Sequence, residues 1–237
     1  MIPVIIALII VLGSGSLFFI GPTTPEEVYI TLDVAPTTTL AELENIIAVF
    51  DKHNINATIF LTSNWAHNNT NLTQELAINY EIACLGVTGT RLALLEEEDL
   101  REEILGCQQA LSEQNISVLG FRAYHRDISQ QAHTVLEQDF LYDSSTYQKY
   151  TWFWEKSSTL NTQPISSAGL IPLDDRLFSV FKNNNPFYFI SKQTRQEDLT
   201  LALNTQHLQD HLLALDYLLA YFVHHNTTTK TLQEQWS

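Results

Sequence analysis

The carboxylate of Asp33 sits in "TLDVAPTTT" (31–39), after a short apolar run and before an amphipathic segment. A carboxylate where a strand ends is a common catalytic base or metal ligand. Its neighbours Val34 and Ala35 bring no donor atoms. The other groups with chemistry in them are Arg122 in "GFRAYH" (120–125), His125 three residues on, and the pair His207 and His211. The histidine pair is spaced i, i+4 with Asp210 between, which would put two imidazoles on one helix face. No Glu completes an HExxH arrangement, and the pair reads as a solvated face. His67 and His133 fall in or beside surface helices, and His224 and His225 end a helix, where imidazolium suits the dipole. "YTWFWEK" (150–156) gathers Tyr150, Trp152, Phe153 and Trp154, rings that could stack on sugar faces or form a core or lid cluster. Gly-x-Ser-x-Gly elbows, P-loops and dinucleotide fingerprints do not occur.

These groups need a scaffold, and the hydrophobic periodicity supplies one. "VYITLDV" (28–34), "NATIFLTS" (56–63), "YEIACLGV" (80–87) and "SVLGFRA" (117–123) read as strands. Between them, 40–54, 71–79, 94–114 and 127–139 carry apolar residues at helical spacing; Leu40, Leu43, Ile46, Ile47 and Phe50 show it best. Strands alternating with helices argue for a parallel sheet, open or closed into a barrel. Functional groups then belong at the C-terminal strand ends, where Asp33 and Arg122 fall. The second half is less regular, with a strand expected over 186–193 and one helix over 205–225.

The chain has 237 residues, 45% hydrophobic and 16% charged, enough for one large domain with a core. Twelve basic residues against 27 acidic ones give a net charge of −15, a field that repels phosphate backbones and argues against nucleic acid. Residues 2–20 carry no charge, and no Lys or Arg precedes Lys52. About 20 apolar residues can cross a bilayer. The expected organisation is a membrane anchor or signal segment over 1–20, a linker over 21–27 and a single domain over 28–237. Cys84 and Cys107 are a disulfide or two buried thiols; sequence leaves both open. Sequons begin at Asn56, Asn68, Asn71, Asn115 and Asn226 and are compatible with export.

The order of five blocks adds a resemblance. "VYITLDVAP", "INATIFLTSNWA", "YEIACLG", "GFRAYH" and "VLEQDFLYDSSTY", ending in "KTLQEQW", are similar to the polysaccharide deacetylase family with its NodB-homology domain, from about residue 28 to the C-terminus. The resemblance implies a distorted (β/α) barrel, a groove for N-acetylated sugar polymers, and metal-dependent hydrolysis of the acetamide bond. It also implies an Asp pair (base, then metal ligand), two His ligands, an Arg that orients the base and a His acid.

Asp33 matches the base and Arg122 its orienting partner. Val34 stands where the metal-binding Asp belongs, and Leu85 and Gly89 where the two His ligands belong. Ala123 and Tyr124 replace the family's prolines, and the block for the acid His reads Ser191 and Lys192. Val and Leu have no lone pairs for a divalent ion, and Gly has no side chain. The expectation is therefore a deacetylase-like protein without the metal cofactor, extracytoplasmic, attached to the membrane through residues 2–20 or secreted if that segment is cleaved. Its expected partner is a polysaccharide or other glycan, met by Tyr124, Trp152 and Trp154. A hydrolase rebuilt around Asp33 with His125 as replacement acid, and a non-enzymatic interaction scaffold, stand as alternatives.

Overall fold

A computed structural model describes residues 9–11, 17–19, 26–126, 128–145, 161–162 and 198–235. Near the N-terminus β1 (Ile9–Val11) pairs antiparallel with β2 (Leu17–Phe19). The anchor expected over 2–20 is not seen as a helix at these positions, and among the described residues no helix is long and apolar enough to cross a membrane. Runs rich in Ile, Val and Phe pair readily as strands in the absence of a bilayer.

From β3 onward the order follows the sequence pattern: β3 (Glu27–Asp33), α1 (Leu40–His53), β4 (Thr58–Leu61), α2 (Ser63–Asn68), α3 (Thr70–Asn79), β5 (Glu81–Cys84), α4 (Glu97–Ser112), β6 (Gly120–Phe121), α5 (Gln130–Asp139) and β7 (Tyr142–Asp143). Helix α2, which falls mostly between the strand read over 56–63 and the helix read over 71–79, and strand β7 were not foreseen; Thr62 caps α2 by accepting from Trp65 N–H. Helix α1 starts in a capping box between Thr39 and Glu42 and ends at Asn54, whose φ of 51° stops the helix.

The C-terminal region departs from expectation. Three strands here were not foreseen, β8 (Asn161–Thr162), β9 (Asp198–Asn204) and β10 (Thr228–Lys230). The single helix expected over 205–225 is two, α6 (Thr205–Leu208) and α7 (Leu212–His224), because Gln209, Asp210 and His211 turn the chain. The strand expected over 186–193, with Ser191 and Lys192, lies outside the described residues, as does the 150–156 aromatic cluster.

All strands from β3 onward pair in parallel, in a curled sheet ordered β10-β3-β4-β5-β6-β7-β8. β9 pairs β3 along its whole length, Glu27 to Asp33 against Asp198 to Asn204. A strand has two edges, so β10 and β4 share the other one: β10 meets Glu27–Tyr29 and β4 meets Thr31–Asp33.

Alternation divides the sheet into two faces. Val28, Ile30, Leu32 and Val34 join Ile59, Leu61, Ile82 and Phe121 in the core under the helices. The opposite residues face the barrel interior, where Tyr29, Phe60, Ala83, Leu85, Tyr142 and Leu232 form a second cluster. Near the lower end, Glu81 accepts from Tyr142 Oη at 2.6 Å, Thr58 Oγ1 at 2.6 Å and Gln233 N–H at 3.0 Å. Burial raises the Glu81 carboxyl against these opposing hydrogen bonds. Gly120 leaves room for the Tyr142 ring, since a Cβ there would meet its Cζ at 1.9 Å.

Cys84 and Cys107 are joined in a disulfide that ties β5 to α4 across 23 residues of sequence. Replacing both with Ala should lower stability by about 3 kcal/mol on loop-closure grounds. The melting temperature should fall by about 6–12 °C, read by thermal unfolding with and without reductant.

His133 is not solvated; it is 3% exposed on α5, and its Nε2 has no partner among the described residues. Burial holds its imidazole below the ordinary value, with Glu137 opposing. The unfolded chain then takes this proton first, so the stability tied to neutral His133 is present above about pH 6.5 and lost as pH falls towards the folded-state value. His133→Leu should gain on the wild type as pH falls from 7 to 5, measured by denaturant unfolding. A constant difference across that window would refute the assignment.

Candidate functional site

The barrel mouth forms at the C-terminal ends of β3, β4, β6, β7 and β9. β3 delivers Asp33, 1% exposed, beside Phe60 on β4 and Asn204 on β9 in register. The segment after β6 delivers Arg122, fully buried, with its N–H on Cys84 O at 2.9 Å. β7 leads into Ser144 and Ser145, both buried.

Arg122 is held from every side. Its Nη1 donates to Asp33 Oδ1 and to Thr31 Oγ1, each at 2.7 Å. Its Nε donates to Ser144 O at 3.0 Å and its Nη2 to Ser144 Oγ at 2.7 Å. The guanidinium lies 4.0 Å from the centre of the Phe60 ring. Burial lowers the Arg122 pKa to about 10, against the pull of Asp33 and with Arg126 adding to it. A guanidinium at about 10 is still protonated at neutral pH, so the ion pair exists as charges.

Asp33 has a second cation that the sequence reading missed. Arg126 Nη2 donates to Asp33 Oδ2, and Arg126 Nη1 to Ser144 O at 3.4 Å. Arg126 reaches this position from a left-handed backbone, φ 59°. That conformation costs a non-glycine residue about 1–2 kcal/mol, which the charge pairing offsets. Both carboxylate oxygens are thus engaged by guanidinium groups in a place closed to solvent. A general base must present a free lone pair to the proton it takes. Asp33 is arranged as a clamped anion.

The positions that the family resemblance assigns to metal ligands are elsewhere engaged. Val34 faces the helix layer and belongs to the main core. Leu85 packs in the barrel interior beside Phe60 and Tyr142. Gly89 has φ +78°, and a Cβ there would meet Pro36 Cγ at 3.2 Å, Thr62 Cγ2 at 3.3 Å and Tyr124 Cδ1 at 3.5 Å. Its loop is also fixed from behind: Glu103 Oε1 accepts from the N–H groups of Thr88 and Gly89 at 2.9 Å and of Thr90 at 3.3 Å. Among the described residues no three His, Cys, Asp or Glu groups come together as a metal would need. The donors present do not fit the family's divalent ion.

Tyr124 sits at the rim, half-buried against the inner apolar cluster and hydrogen-bonded to Asn204. Burial, then the charge of Asp33, raises its phenol, so it stays protonated at neutral pH. His125 is exposed, and its ring stands edge-on to Tyr124 with centroids 4.8 Å apart. It forms no hydrogen bond or ion pair with Asp33 or Arg122; among the described residues these two bond to each other and to Thr31, Ser144 and Arg126. Trp152 and Trp154 lie outside the described residues. Position 207 falls in α6, and His211 is the cap residue that precedes α7, so the two do not belong to one continuous helix.

Thr31, Phe60, Ser144, Arg126 and Asn204 were not singled out by sequence. For Arg126 the signal was its spacing of four from Arg122 across a tight turn. For Ser144 it was the Ser pair directly after the strand in "FLYDSS". Phe60 and Asn204 become visible only through register with Asp33.

Arg122→Leu should leave Asp33 buried with one cation instead of two and cost about 3–5 kcal/mol. Asp33→Asn should cost at least as much as Arg122→Leu, because it leaves the sealed Arg122 guanidinium with no counter-charge and Arg126 beside it, whereas Asp33 without Arg122 keeps its pair with Arg126. Denaturant unfolding of the two variants and the double variant checks the order; an Arg122→Leu cost below about 1 kcal/mol would contradict the clamp.

The comparisons agree with this geometry. The family model for polysaccharide deacetylase matches residues 20–139. No curated protein matches the chain. Among solved structures, a putative polysaccharide deacetylase from Mycobacterium smegmatis superposes with a TM-score of 0.67 at 17% identity, covering 91% of this chain and 90% of that one. A CE4 family pseudoenzyme from Bacillus anthracis superposes with a TM-score of 0.60 at 14% identity, covering 90% of this chain and 66% of that one. The chain thus spans about two thirds of the Bacillus anthracis protein's length. A family 4 carbohydrate esterase from Streptomyces lividans gives 0.59 at 13% identity, with 88% and 93% covered. At these identities the superpositions show the fold, a distorted (β/α) barrel. The family follows from the matched residues and the curled parallel sheet that carries them: this chain belongs to the polysaccharide deacetylase family.

Proposed function

We propose that this protein is a glycan-binding, deacetylase-like pseudoenzyme that works without the family's metal. The observation that carries the reading is the clamp on Asp33, whose two oxygens are bound by Arg122 and Arg126. Such a carboxylate is committed to two cations, and the residues at the family's ligand positions, Val34, Leu85 and Gly89, offer no side-chain donor for a metal that would polarise a carbonyl. The existence of a CE4 pseudoenzyme among the similar structures supports the reading, as does a mutant of that protein described as having restored enzymatic activity. Loss of chemistry with retention of the fold therefore has a precedent on this scaffold. The exposed position of His125 speaks against the rebuilt hydrolase.

The proposed ligand is an N-acetylated envelope or cell-surface polysaccharide, met at the rim beside Tyr124. The proposed compartment is outside the cytoplasm. The Cys84–Cys107 disulfide supports it, because such bonds persist where thiols are oxidised. Residues 2–20 would then serve as the export signal or anchor. An uncharged segment of this kind can become helical in lipid, where backbone groups must be satisfied within the segment.

The test is acetate release from acetylated chitooligosaccharides with zinc, cobalt or nickel present, run beside Asp33→Asn, together with a binding titration of the same oligomers. Release no faster than the variant's, with binding retained, is the expected result. Metal-stimulated release that Asp33→Asn abolishes would restore the hydrolase reading. Failure to bind any acetylated glycan would remove the glycan reading.

A further inference from the structure

The clamp holds one cation more than it needs. Arg122 and Asp33 already form a neutral, fully hydrogen-bonded pair with Thr31 and Ser144. Four of the five Arg122 N–H donors are spent, on Thr31, Asp33, Ser144 O and Ser144 Oγ. Arg126 adds a second positive charge beside the pair, at the cost of a left-handed backbone. Among the described residues it uses two of its five donors, on Asp33 and Ser144 O, which leaves three. Its side chain is 15% exposed, whereas that of Arg122 is 0%. Of the two guanidinium side chains, that of Arg126 is therefore the one that reaches solvent.

The rest of the described rim does not cancel this charge. Tyr124 and Asn204 are neutral, Thr205 is a hydroxyl, Glu103 is turned onto the N–H groups of its loop, and the Asp143 carboxylate accepts from the N–H and hydroxyl of Ser145. The clamp itself therefore sets two guanidiniums against one carboxylate, a surplus of one positive charge at Asp33 in a chain of net charge −15. Distant acidic groups are screened beyond about 8 Å at physiological salt, so the contact charge decides what docks. A guanidinium with free donors recognises a carboxylate best, by two parallel N–H···O bonds. Beside it Tyr124 offers a half-buried ring for the apolar face of a sugar.

We infer that the rim recognises a carboxylate-bearing glycan through Arg126, with Tyr124 as the stacking surface, so that the preferred polymer is acidic rather than neutral. The inference rests on the glycan-binding reading and narrows it.

The full chain is titrated calorimetrically with a hyaluronan hexasaccharide, with the same hexasaccharide after reduction of its uronate carboxyls, and with chitohexaose. The acidic oligomer should bind about tenfold or more tightly than both neutral ones, and the gap should shrink with salt. Arg126→Gly should abolish the preference. Gly accepts a φ of 59° without strain, so the variant should keep its thermal transition, and Arg126→Lys should keep part of the preference. Neutral oligomers bound as tightly as acidic ones, or a preference that survives Arg126→Gly, would overturn this inference and leave the glycan reading standing. Absence of binding to all three oligomers would overturn both.

Discussion

A buried ion pair, Arg122 with Asp33, organises the upper half of this barrel. A guanidinium sealed from water is tolerable only when its charge is paired and its donors are spent. The pairing calls on four strands at once. β3 brings Thr31 and Asp33, β4 the Phe60 ring, the segment after β6 the arginine itself, and the segment after β7 the Ser144 carbonyl and hydroxyl. Any slip of register by one residue would turn these groups to the helix side, where Val28, Ile30, Leu32 and Val34 pack. The same alternation that builds the core therefore also fixes the site.

Below the pair the interior is filled by side chains. Tyr29, Phe60, Leu85, Tyr142 and Leu232 close the middle, and Glu81 ties the C-terminal segment through Gln233 to the base. At the positions where the family would hold a metal, this chain has an interior leucine, a valine in the outer core and a glycine in a loop fixed by Glu103. Arg126 supplies the positive charge beside Asp33 instead. Two guanidiniums, Arg122 and Arg126, thus meet the one carboxylate of Asp33. An aspartate of this kind reads as a binding and folding element.

The first half of the fold was legible because its strands are short apolar runs between amphipathic helices, and both periods were clean. Asp33 and Arg122 were legible for the same reason, as charged residues at strand ends. The second half was not. β9 in "DLTLALN" mixes polar residues into a strand paired along the whole of β3, and β10 in "TTK" is too short to show a period. The helix read over 205–225 hid a break, since Gln209, Asp210 and His211 all belong to ordinary helical composition. Arg126 was overlooked because an arginine in a turn looks like a solvated charge. Only the left-handed backbone and the register of Asp33 reveal where it points. His133 failed in the opposite sense: a polar residue on a surface helix proved to be buried.

The account turns on whether protein cations have replaced the metal at Asp33. Elemental analysis of the purified chain, before and after incubation with zinc, cobalt and nickel and removal of the excess, tests that directly. The clamp predicts no stoichiometric metal under any of these conditions. One tightly held ion per chain, lost on Asp33→Asn, would contradict it and return the site to catalysis.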